Sequence, residues 1–375
     1  MKVIFPITKF YPVQSGGPIY TLLWHCEALN SNGIEVKIYT STSGFDSIKT
    51  KVPKTDTYLK TSMGEIIYRS GSLAIFKNIK TILNEVKSDD IVHLNSFFSP
   101  ISFLTFLALK MFKKNTNIIW SVRGEFNKNA ISINKLKKLP ILTLIRSRID
   151  NTIFHSTSSQ ETNDILNQFE NAKIIKIPNL INFQPKLNYP KKKEIIFVGR
   201  IHPIKNIENL IEAIHLSREF KLHNYKLKII GKYESRHTSY YNNLKKMVLS
   251  YNLSNYVQFI DHIVGEEKWK AYSEAMFLCL PSKTENFGNV VVEALSQGTP
   301  VIASLGTPWE SLNNEKAGFH VSNTAQSLAN TLKIILELSK EDYEIYSNNA
   351  LKLCRSNYDI KLNINLWEEV YKNCK

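Results

Sequence analysis

Short apolar segments alternate with amphipathic stretches along the whole chain, a pattern typical of repeated β-strand and α-helix units. Turn residues such as Asn32-Gly33, which close a predicted helix over 19–30, separate these units. A further helix is predicted over 160–169. The predicted strands are Lys2–Ile7, Val36–Tyr39, Ile91–Leu94, Ile118–Val122, Thr152–His155, Lys173–Ile177, Ile195–Val198, Lys226–Ile230, Val257–Phe259, Phe277–Leu280 and Val301–Ala303. The alternation predicts an α/β protein with two doubly wound parallel sheets, because parallel strands need helical crossovers.

The pattern is interrupted near the middle of the chain. Residues 178–193 contain three prolines and end in three consecutive lysines, a composition typical of an interdomain linker. We therefore expect a first domain over 1–180, a linker over 181–193 and a second domain over 194–350. The remaining residues, 351–375, are expected to form a helical segment whose amphipathic part contains Trp367.

The composition is that of an ordinary globular protein. The chain has 375 residues, 43% of them hydrophobic, which is enough for two domains with their own cores. The first strand meets Pro6 too early for a signal peptide, and no stretch approaches the roughly 18 apolar residues that span a bilayer. The four cysteines are scattered without metal-type or redox spacing and are expected to be reduced thiols. These features predict a soluble cytoplasmic enzyme.

Two carboxylates eight residues apart flank the start of a predicted apolar helix. Glu285 precedes an Asn-Phe-Gly turn, and Glu293 lies inside the helix, which we expect to begin near Gly288. Eight helical steps of about 100° amount to roughly two turns, so both side chains lie near one side of the helix. The positive end of a helix favours phosphate or electron-rich hydroxyls, so the layout suits a nucleotide sugar. The spacing alone more often marks an acidic helix start with a solvated glutamate.

A second group of charged residues follows the predicted strand 195–198. Arg200 and Lys205 lie between it and an amphipathic helix, at the edge where open α/β sheets bind ligands. A guanidinium and an ammonium group at that edge would neutralise a diphosphate, although loop charges are most often only solvated. A further loop, Pro281–Thr284, follows another apolar strand and leads directly into Glu285.

In this order, these motifs resemble the retaining glycosyltransferases of family 4, which have the GT-B fold of two Rossmann-like doubly wound domains facing a cleft. The resemblance covers nearly the whole chain, and its most specific part lies within 195–300. It includes Ser15-Gly16-Gly17-Pro18 after the first strand and Pro178-Asn179 ahead of the second domain. It implies that the first domain is the acceptor side, that the second binds the nucleotide sugar, and that 351–375 cross back to the first domain.

The resemblance also implies roles for individual residues. Arg200 and Lys205 would bind the donor diphosphate, and Glu285 would contact the transferred sugar; these three are the expected catalytic residues. Glu293 would bind the ribose. The residues whose backbone amides would approach the sugar are Asn286, Phe287, Gly288 and Asn289. The donor would be a UDP- or GDP-sugar, and no metal or other cofactor is expected, since no Asp-x-Asp follows a strand.

The first half of the chain contains further candidates. The Gly16-Gly17 turn falls at the ligand-binding edge of the first unit and is expected to face the donor or the acceptor. Many family members have a histidine after the strand that ends here at Val122. This chain has Ser-Val-Arg-Gly-Glu at that point, so Arg123 and Glu125 become the candidate substrate-binding residues. His93 is interpreted as a strand-end residue bonded to backbone.

Charge is distributed unevenly along the chain. The formal net charge is +15, and residues 101–150 hold ten basic side chains against Glu125 and Asp150, interleaved with apolar runs. Basic amphipathic helices suit an anionic membrane surface that presents a lipid-linked acceptor. Nucleic acid, the competing interpretation, is discounted because no recognition motif is visible. A helix that packs on its own sheet with solvated lysines outside remains an alternative. The lysines expected to face lipid are Lys110, Lys113, Lys114, Lys135, Lys137 and Lys138.

The resemblance, together with these features, implies a retaining, metal-independent hexosyltransferase. Its acceptor would be a hydroxyl of a lipid-linked glycan in surface-polysaccharide synthesis, at the inner face of the cytoplasmic membrane. Two alternatives stay open: a nucleotide-sugar epimerase of the same architecture, and a non-catalytic scaffold subunit of a polysaccharide assembly complex. The epimerase would not need the glutamate pair together with Lys205, and a scaffold could lose all of these residues.

Overall fold

A computed structural model describes residues 1–12, 17–45, 53–113, 115–133 and 135–374. The chain divides into two units. The first unit is Met1–Asn182 together with Ile360–Lys375, and the second is Phe183–Asp359. Gly16, Ser15 and Lys114 lie outside the described residues, so the predictions made for them have no structural counterpart here.

The first unit contains an eight-stranded sheet with the strand order β3-β4-β2-β1-β5-β6-β7-β8. Its strands are β1 (Lys2–Pro6), β2 (Glu35–Ser41), β3 (Tyr58–Thr61), β4 (Gly64–Arg69), β5 (Ile91–Asn95), β6 (Asn117–Ser121), β7 (Thr152–Ser156) and β8 (Lys173–Lys176). Neighbouring strands are parallel, except that β3 pairs with β4 in antiparallel register. The antiparallel β3–β4 hairpin is an addition to the predicted strands.

Helices cover both faces of this sheet. They are α1 (Gly17–Ser31), α2 (Ala74–Glu85), α3 (Pro100–Phe112), α4 (Lys128–Ser132), α5 (Lys135–Arg146) and α6 (Ser159–Leu166). Val3 and Phe5 join one buried cluster while Ile4 joins the other, because successive strand residues point to opposite faces. The second cluster includes the stacked rings of Phe97 and Trp120, whose centroids are 4.4 Å apart.

The second unit contains a six-stranded, all-parallel sheet with the order β11-β10-β9-β12-β13-β14. Its strands are β9 (Lys192–Val198), β10 (Lys226–Ile230), β11 (Val257–Ile260), β12 (Ala275–Leu280), β13 (Val301–Ser304) and β14 (Gly318–Val321). The strand order reverses between β9 and β12, and ligands bind at such switch points in open α/β sheets.

The helices of the second unit are α7 (Ile207–Leu216), α8 (Arg218–Leu222), α9 (Thr238–Ser250), α10 (Gly265–Glu274), α11 (Asn289–Ser296), α12 (Ser311–Asn314), α13 (Ala325–Leu336) and α14 (Lys340–Tyr358). Helix α11 begins at Asn289, with Gly288 as its amino-terminal cap, which confirms the predicted start of the helix that carries Glu293. Two parallel-sheet units of this kind confirm the α/β fold class.

The structure places the unit boundaries slightly differently from the predicted ones. The predicted linker packs along the second unit: Leu187 accepts a hydrogen bond from Ser273 at 2.7 Å, and Lys191 donates to Ala275 at 2.8 Å. Residues 351–359 also stay with the second unit, because α14 continues to Tyr358, whose ring packs on Phe287.

The chain enters the first unit again at Ile360. Helices α15 (Ile360–Asn363) and α16 (Asn365–Asn373) belong to that unit, and the Ile360 amide donates to the Ile181 carbonyl at 3.1 Å. Trp367 and Tyr371 of α16 are buried in the same cluster as Val3 and Phe5. Among the described residues, no helix combines the length and hydropathy that crossing a bilayer requires.

Candidate active site

The switch point of the second sheet brings two sequence-distant loops together. One follows β9 and carries Arg200 and Lys205, and the other follows β12 and carries Ser282 and Glu285. The amide of Lys283 donates to the carbonyl of Ile204 at 2.8 Å, so the two loops are directly hydrogen-bonded. Position 306 next to the second loop must be glycine, because a Cβ there would lie 2.2 Å from the Lys283 carbonyl oxygen.

Lys205 and Glu285 form a partly buried ion pair at this point. The Lys205 ammonium donates to Glu285 Oε1, and the hydroxyl of Ser282 donates to the same oxygen at 2.7 Å. Both charged side chains are only 15% exposed. Within the described residues, Oε2 of Glu285 has no protein donor, so one whole carboxylate oxygen stays available to a ligand hydroxyl.

Glu293, on α11, has a different environment. Its Oε1 accepts from the ammonium of Lys268 at 2.9 Å, and its Oε2 accepts from the hydroxyl of Tyr272 at 2.7 Å. Its side chain is 9% exposed, and burial next to the Glu293 carboxylate raises the pKa of Tyr272. Each oxygen of Glu293 is therefore engaged by α10, and a ligand hydroxyl can use only a remaining lone pair.

The turn between the two glutamates combines a buried anchor with an open helix end. Phe287 packs its ring on Trp309 and Tyr358, with centroid distances of 5.1 and 5.7 Å, so its side chain belongs to the core. Gly288 has φ 84°, and a Cβ there would lie 3.1 Å from Leu280. The left-handed turn lets the chain enter α11 directly. The carbonyl of Phe287 accepts a hydrogen bond from the Trp309 indole, so the ring and the carbonyl of Phe287 are both engaged within the protein.

Arg200 lies on the surface of the same edge. Its guanidinium is 68% exposed and pairs at 3.2 Å with Glu234, which also pairs with Arg236 at 2.6 Å. Glu234 follows β10 and was not among the predicted site residues. Its position two residues before Arg236, in a polar loop after a strand, is the only signal that the sequence offers.

The first unit holds the remaining candidates. Gly17 is the first residue of α1. Glu125 braces a loop, because its carboxylate accepts from the backbone amide of Phe98 at 2.8 Å, and burial raises its pKa. Arg123 has a left-handed backbone with φ 60° and donates to the side-chain oxygens of Asn95 and Asn179.

A buried chain of hydrogen bonds runs beside Arg123. His93 contacts the Tyr371 hydroxyl at 2.7 Å and the Ser121 hydroxyl at 2.8 Å. Ser121 also contacts His155 at 2.7 Å, and Tyr371 also contacts His25 at 3.0 Å. The interpretation of His93 as bonded to backbone was wrong, because its partners are side chains of β6 and of the carboxyl-terminal helix.

The three histidines of this hydrogen-bonded network are kept neutral. Burial is the main cause that lowers the pKa of His25, His93 and His155, and the nearby Arg123 cation lowers each of them further. For His155 the pKa falls to about 3. Among the described residues, no group of three or more His, Cys, Asp or Glu side chains is arranged to hold a metal ion.

Part of this chain is similar in sequence to known glycosyltransferases. Residues 180–353 match the family described as glycosyl transferases group 1. An uncharacterized glycosyltransferase of Methanocaldococcus jannaschii is 31% identical over 38% of this chain and 36% of its own length. One of Haemophilus influenzae is 23% identical over 79% of this chain and 80% of its own. The O-antigen chain mannosyltransferase RfbU of Salmonella typhimurium is 30% identical over 40% and 41%.

Solved structures share the whole fold. Sucrose-phosphate synthase from Thermosynechococcus elongatus superposes with a TM-score of 0.77 at 21% identity, covering 99% of this chain and 98% of that one. Anabaena HepE in complex with UDP and glucose gives 0.74 at 15% identity, with 99% and 100% covered. The fold is therefore that of the GT-B glycosyltransferases. The match to the group 1 glycosyltransferases covers residues 180–353, just under half of the chain.

The neutral histidines predict that the protein loses stability in mild acid. An unfolded histidine titrates near pH 6.5, so below that pH the unfolded chain binds more protons than the folded one. The stabilisation is complete above about pH 6.5 and declines as pH falls toward the folded pKa, which for His155 is about 3. Each buried histidine contributes up to about 1.4 kcal/mol per pH unit. Chemical denaturation at pH 7.5, 6.5 and 5.5 measures this slope.

A matched pair of variants assigns the slope to the buried chain. His155→Gln should lower it, since one titrating group is lost, while His262→Gln, at an exposed position, should leave it unchanged. A free energy of unfolding that stays constant between pH 7.5 and 5.5 would contradict the neutral state of these histidines.

Proposed function

We propose that this protein is a retaining hexosyltransferase. It transfers a hexose from a nucleoside diphosphate sugar, UDP- or GDP-linked, to a hydroxyl of a lipid-linked glycan in surface-polysaccharide synthesis. The family match over residues 180–353 supports glycosyl transfer. The UDP and glucose of the HepE complex support a nucleotide-sugar donor, and the Salmonella mannosyltransferase supports a glycan acceptor.

The observation that carries the proposal is the Lys205–Glu285 pair at the switch point, with one oxygen of Glu285 left open. An ammonium group and a carboxylate held together match the two ends of the donor's reacting bond. Lys205 faces the phosphate that leaves, and Glu285 accepts hydrogen bonds from hydroxyls of the transferred hexose. Arg200, on the same loop as Lys205, adds a second cation for the diphosphate.

The reaction follows from these placements. The bond from the anomeric carbon to the diphosphate oxygen breaks, and a bond to the acceptor oxygen forms on the same face. A donor phosphate oxygen takes the acceptor's proton, so no protein base is required. Lys205 and Arg200 neutralise the charge that develops on the diphosphate, and fixed electrostatic groups of this kind commonly contribute several kcal/mol. These two cations take the place that a divalent metal ion holds in other transferases.

Glu293 serves the nucleotide rather than the reacting carbon. Lys268 and Tyr272 fix both carboxylate oxygens, so the group is rigid and presents its remaining lone pairs in one orientation. A rigid acceptor suits the two ribose hydroxyls, whose contacts are the same before and during the reaction.

The proposed membrane contact involves fewer lysines than the whole basic segment of residues 101–150 contains. Lys110 donates to the backbone of Asp150 and Lys138 to the carbonyl of Ala130, so both are tied to the first unit itself. Lys113, Lys135 and Lys137 are exposed.

The three exposed lysines lie at opposite ends of the sheet's strands, one at the amino ends and two toward the carboxyl ends. Helix α3 runs from the carboxyl end of β5 to the amino end of β6, which places Lys113 at the amino edge. Helix α5 returns from the carboxyl end of β6, so Lys135 and Lys137 lie toward the carboxyl edge, where α/β sheets bind ligands. Leu136, 87% exposed, lies between these two lysines, and Ile133 is 65% exposed. This patch on α5 is the proposed site of peripheral attachment to the inner face of the cytoplasmic membrane.

The function is tested by transfer in the presence of purified acceptor lipid or glycan. Lys205→Ala should lower turnover by about 10²-fold or more, because one group that stabilises the leaving diphosphate is lost. Lys228→Ala is the matched control, since Lys228 forms a lysine–glutamate pair with Glu194 along β9 and β10, away from the ligand edge. Release of nucleoside diphosphate, followed with and without acceptor, is the readout.

Each rival function gives its own result in that assay. An epimerase would convert the nucleotide sugar without releasing diphosphate, and a scaffold subunit would show no turnover with any donor. Turnover of Lys205→Ala close to that of the Lys228→Ala control would remove Lys205 from the site.

Substitution of Glu285 and substitution of Glu293 should affect different steps, catalysis and nucleotide binding respectively. Glu285→Gln should lower kcat, because its free oxygen contacts the hexose at the reacting end. Glu293→Gln should weaken the binding of nucleoside diphosphate alone, and Tyr272→Phe should do so more mildly, since it only loosens the same carboxylate. Calorimetric titration of nucleoside diphosphate separates the two effects. Unchanged affinity in Glu293→Gln would show that the ribose assignment is wrong.

Vesicle binding tests the patch on α5. The double change Lys135→Gln and Lys137→Gln should weaken co-sedimentation with anionic vesicles by more than tenfold, at about 1 kcal/mol for each lysine near the surface. Lys246→Gln with Lys333→Gln removes the same charge from exposed positions of the second unit and should have little effect. Binding should also fall with added salt, as surface charges are screened over about 8–10 Å. Equal binding of both double variants would refute the membrane assignment.

A further inference from the structure

Arg123 is a partly buried cation whose protein partners are all neutral. Its Nε and one terminal nitrogen donate to Asn95 Oδ1 at 3.2 and 2.9 Å, and its other terminal nitrogen donates to Asn179 Oδ1 at 2.9 Å. Within the described residues no carboxylate bonds to the guanidinium. An arginine has five N–H donors, so one on each terminal nitrogen is left without a protein acceptor here.

The backbone of Arg123 has an unfavourable conformation that hydrogen bonds from neighbouring residues stabilise. Its φ of 60° is left-handed, a conformation that is strained for residues other than glycine. Two carboxylates hold the loop in place: Glu161 accepts from the Gly124 amide at 2.6 Å, and Glu125 accepts from the Phe98 amide at 2.8 Å. The loop thus aims one side chain at a fixed point, beyond the carboxyl end of β6.

The carboxylate of Glu161 offsets the charge of Arg123 only in part. Its Oε1 is bonded to the Gly124 amide, and its Oε2 accepts from the amide and the hydroxyl of Thr157 at 2.7 and 2.8 Å. Its attraction acts through space and raises the pKa of Arg123 against the larger lowering effect of burial. A charge that is desolvated and lacks a bonded counterion is costly to keep in a folded protein.

The surroundings of Arg123 form a small recess without a second charge. It has about 10 Å³ of space for a water-sized group, too little for a sugar ring, and its walls include Thr21, His25, His155 and Trp367. The indole of Trp367 packs 4.7 Å from His25 and 4.6 Å from His155, which fixes both rings. Since both histidines are neutral, the recess carries one positive charge, that of Arg123.

We propose that Arg123 binds an anionic group, a carboxylate or a phosphate, carried by one of the sugar substrates. The two unused N–H groups on neighbouring nitrogens form the fork that engages two oxygens of such a group, and the single charge of the recess matches a single anion. The inference rests on the proposed function and deepens it, because it assigns an acidic sugar or a sugar phosphate to this transferase in place of a neutral hexose.

The experiment compares matched acidic and neutral substrates in two arms. In the donor arm, a nucleoside diphosphate hexose is compared with the corresponding nucleoside diphosphate uronate by calorimetric binding. In the acceptor arm, hexose-terminated oligosaccharides are compared with uronate-terminated and phosphorylated ones by kcat/KM. We expect the acidic member to be preferred by tenfold or more in one arm, which identifies the source of the anion.

Variants assign the preference to Arg123. Arg123→Gln should reduce it to within about twofold, and Arg123→Lys should keep only part of it, since a lysine retains the charge but not the fork. Arg146→Gln is the matched control: it removes an exposed positive charge from the same unit and should keep the full preference.

Three results would overturn the proposal. They are equal use of acidic and neutral members in both arms by the wild type, a preference that persists in Arg123→Gln, and a full preference in Arg123→Lys. The first and third do not depend on Arg123→Gln being able to fold. Failure of the proposed function looks different, because then no sugar would be transferred to any acceptor, acidic or neutral.

Discussion

The reversal of strand order between β9 and β12 is the constraint on which the second unit's chemistry depends. Parallel strands all end at one edge, and on either side of a reversal the connections that follow cross to opposite faces of the sheet, which leaves a crevice at the strand ends. Lys205 leaves β9 and Glu285 leaves β12, and these residues meet although 80 positions separate them in the chain. Any substitution that shifts the register of these two strands would therefore separate the pair without touching either side chain.

The two glutamates show what spacing in a sequence can and cannot reveal. The eight-residue interval and the helix start at Asn289 are local features, so the sequence predicts both carboxylates near one end of α11. Their different environments come from tertiary contacts: Lys205 and Ser282 share one oxygen of Glu285, while Lys268 and Tyr272 of α10 occupy both oxygens of Glu293. Nothing in the interval itself distinguishes an open carboxylate from an occupied one.

The same division applies to the rest of the fold. Strand β10, whose predicted and observed limits are both Lys226–Ile230, is predictable because its apolar residues Leu227, Ile229 and Ile230 are all buried. The edge strand β3, Tyr58–Thr61, has weak alternation and is only partly buried, so its pattern is faint. Lysine orientation is also invisible in a sequence. Lys138 folds back onto the Ala130 carbonyl while Lys137, one residue earlier, faces solvent.

The cations of the two units have different partners: carboxylates in the second unit and neutral amide oxygens in the first. This difference bears on how each unit would bind an anion. In the second unit Lys205 is paired with Glu285 and Arg200 with Glu234, so an incoming diphosphate must compete with carboxylates already in place. That competition lowers affinity for the free nucleotide, which favours release of the diphosphate product. In the first unit Arg123 is bonded only to amide oxygens within the described residues, so an anion there displaces no acid. Under the proposed assignments, Arg123 of the first unit selects for charge, whereas Lys205 and Arg200 of the second unit serve turnover.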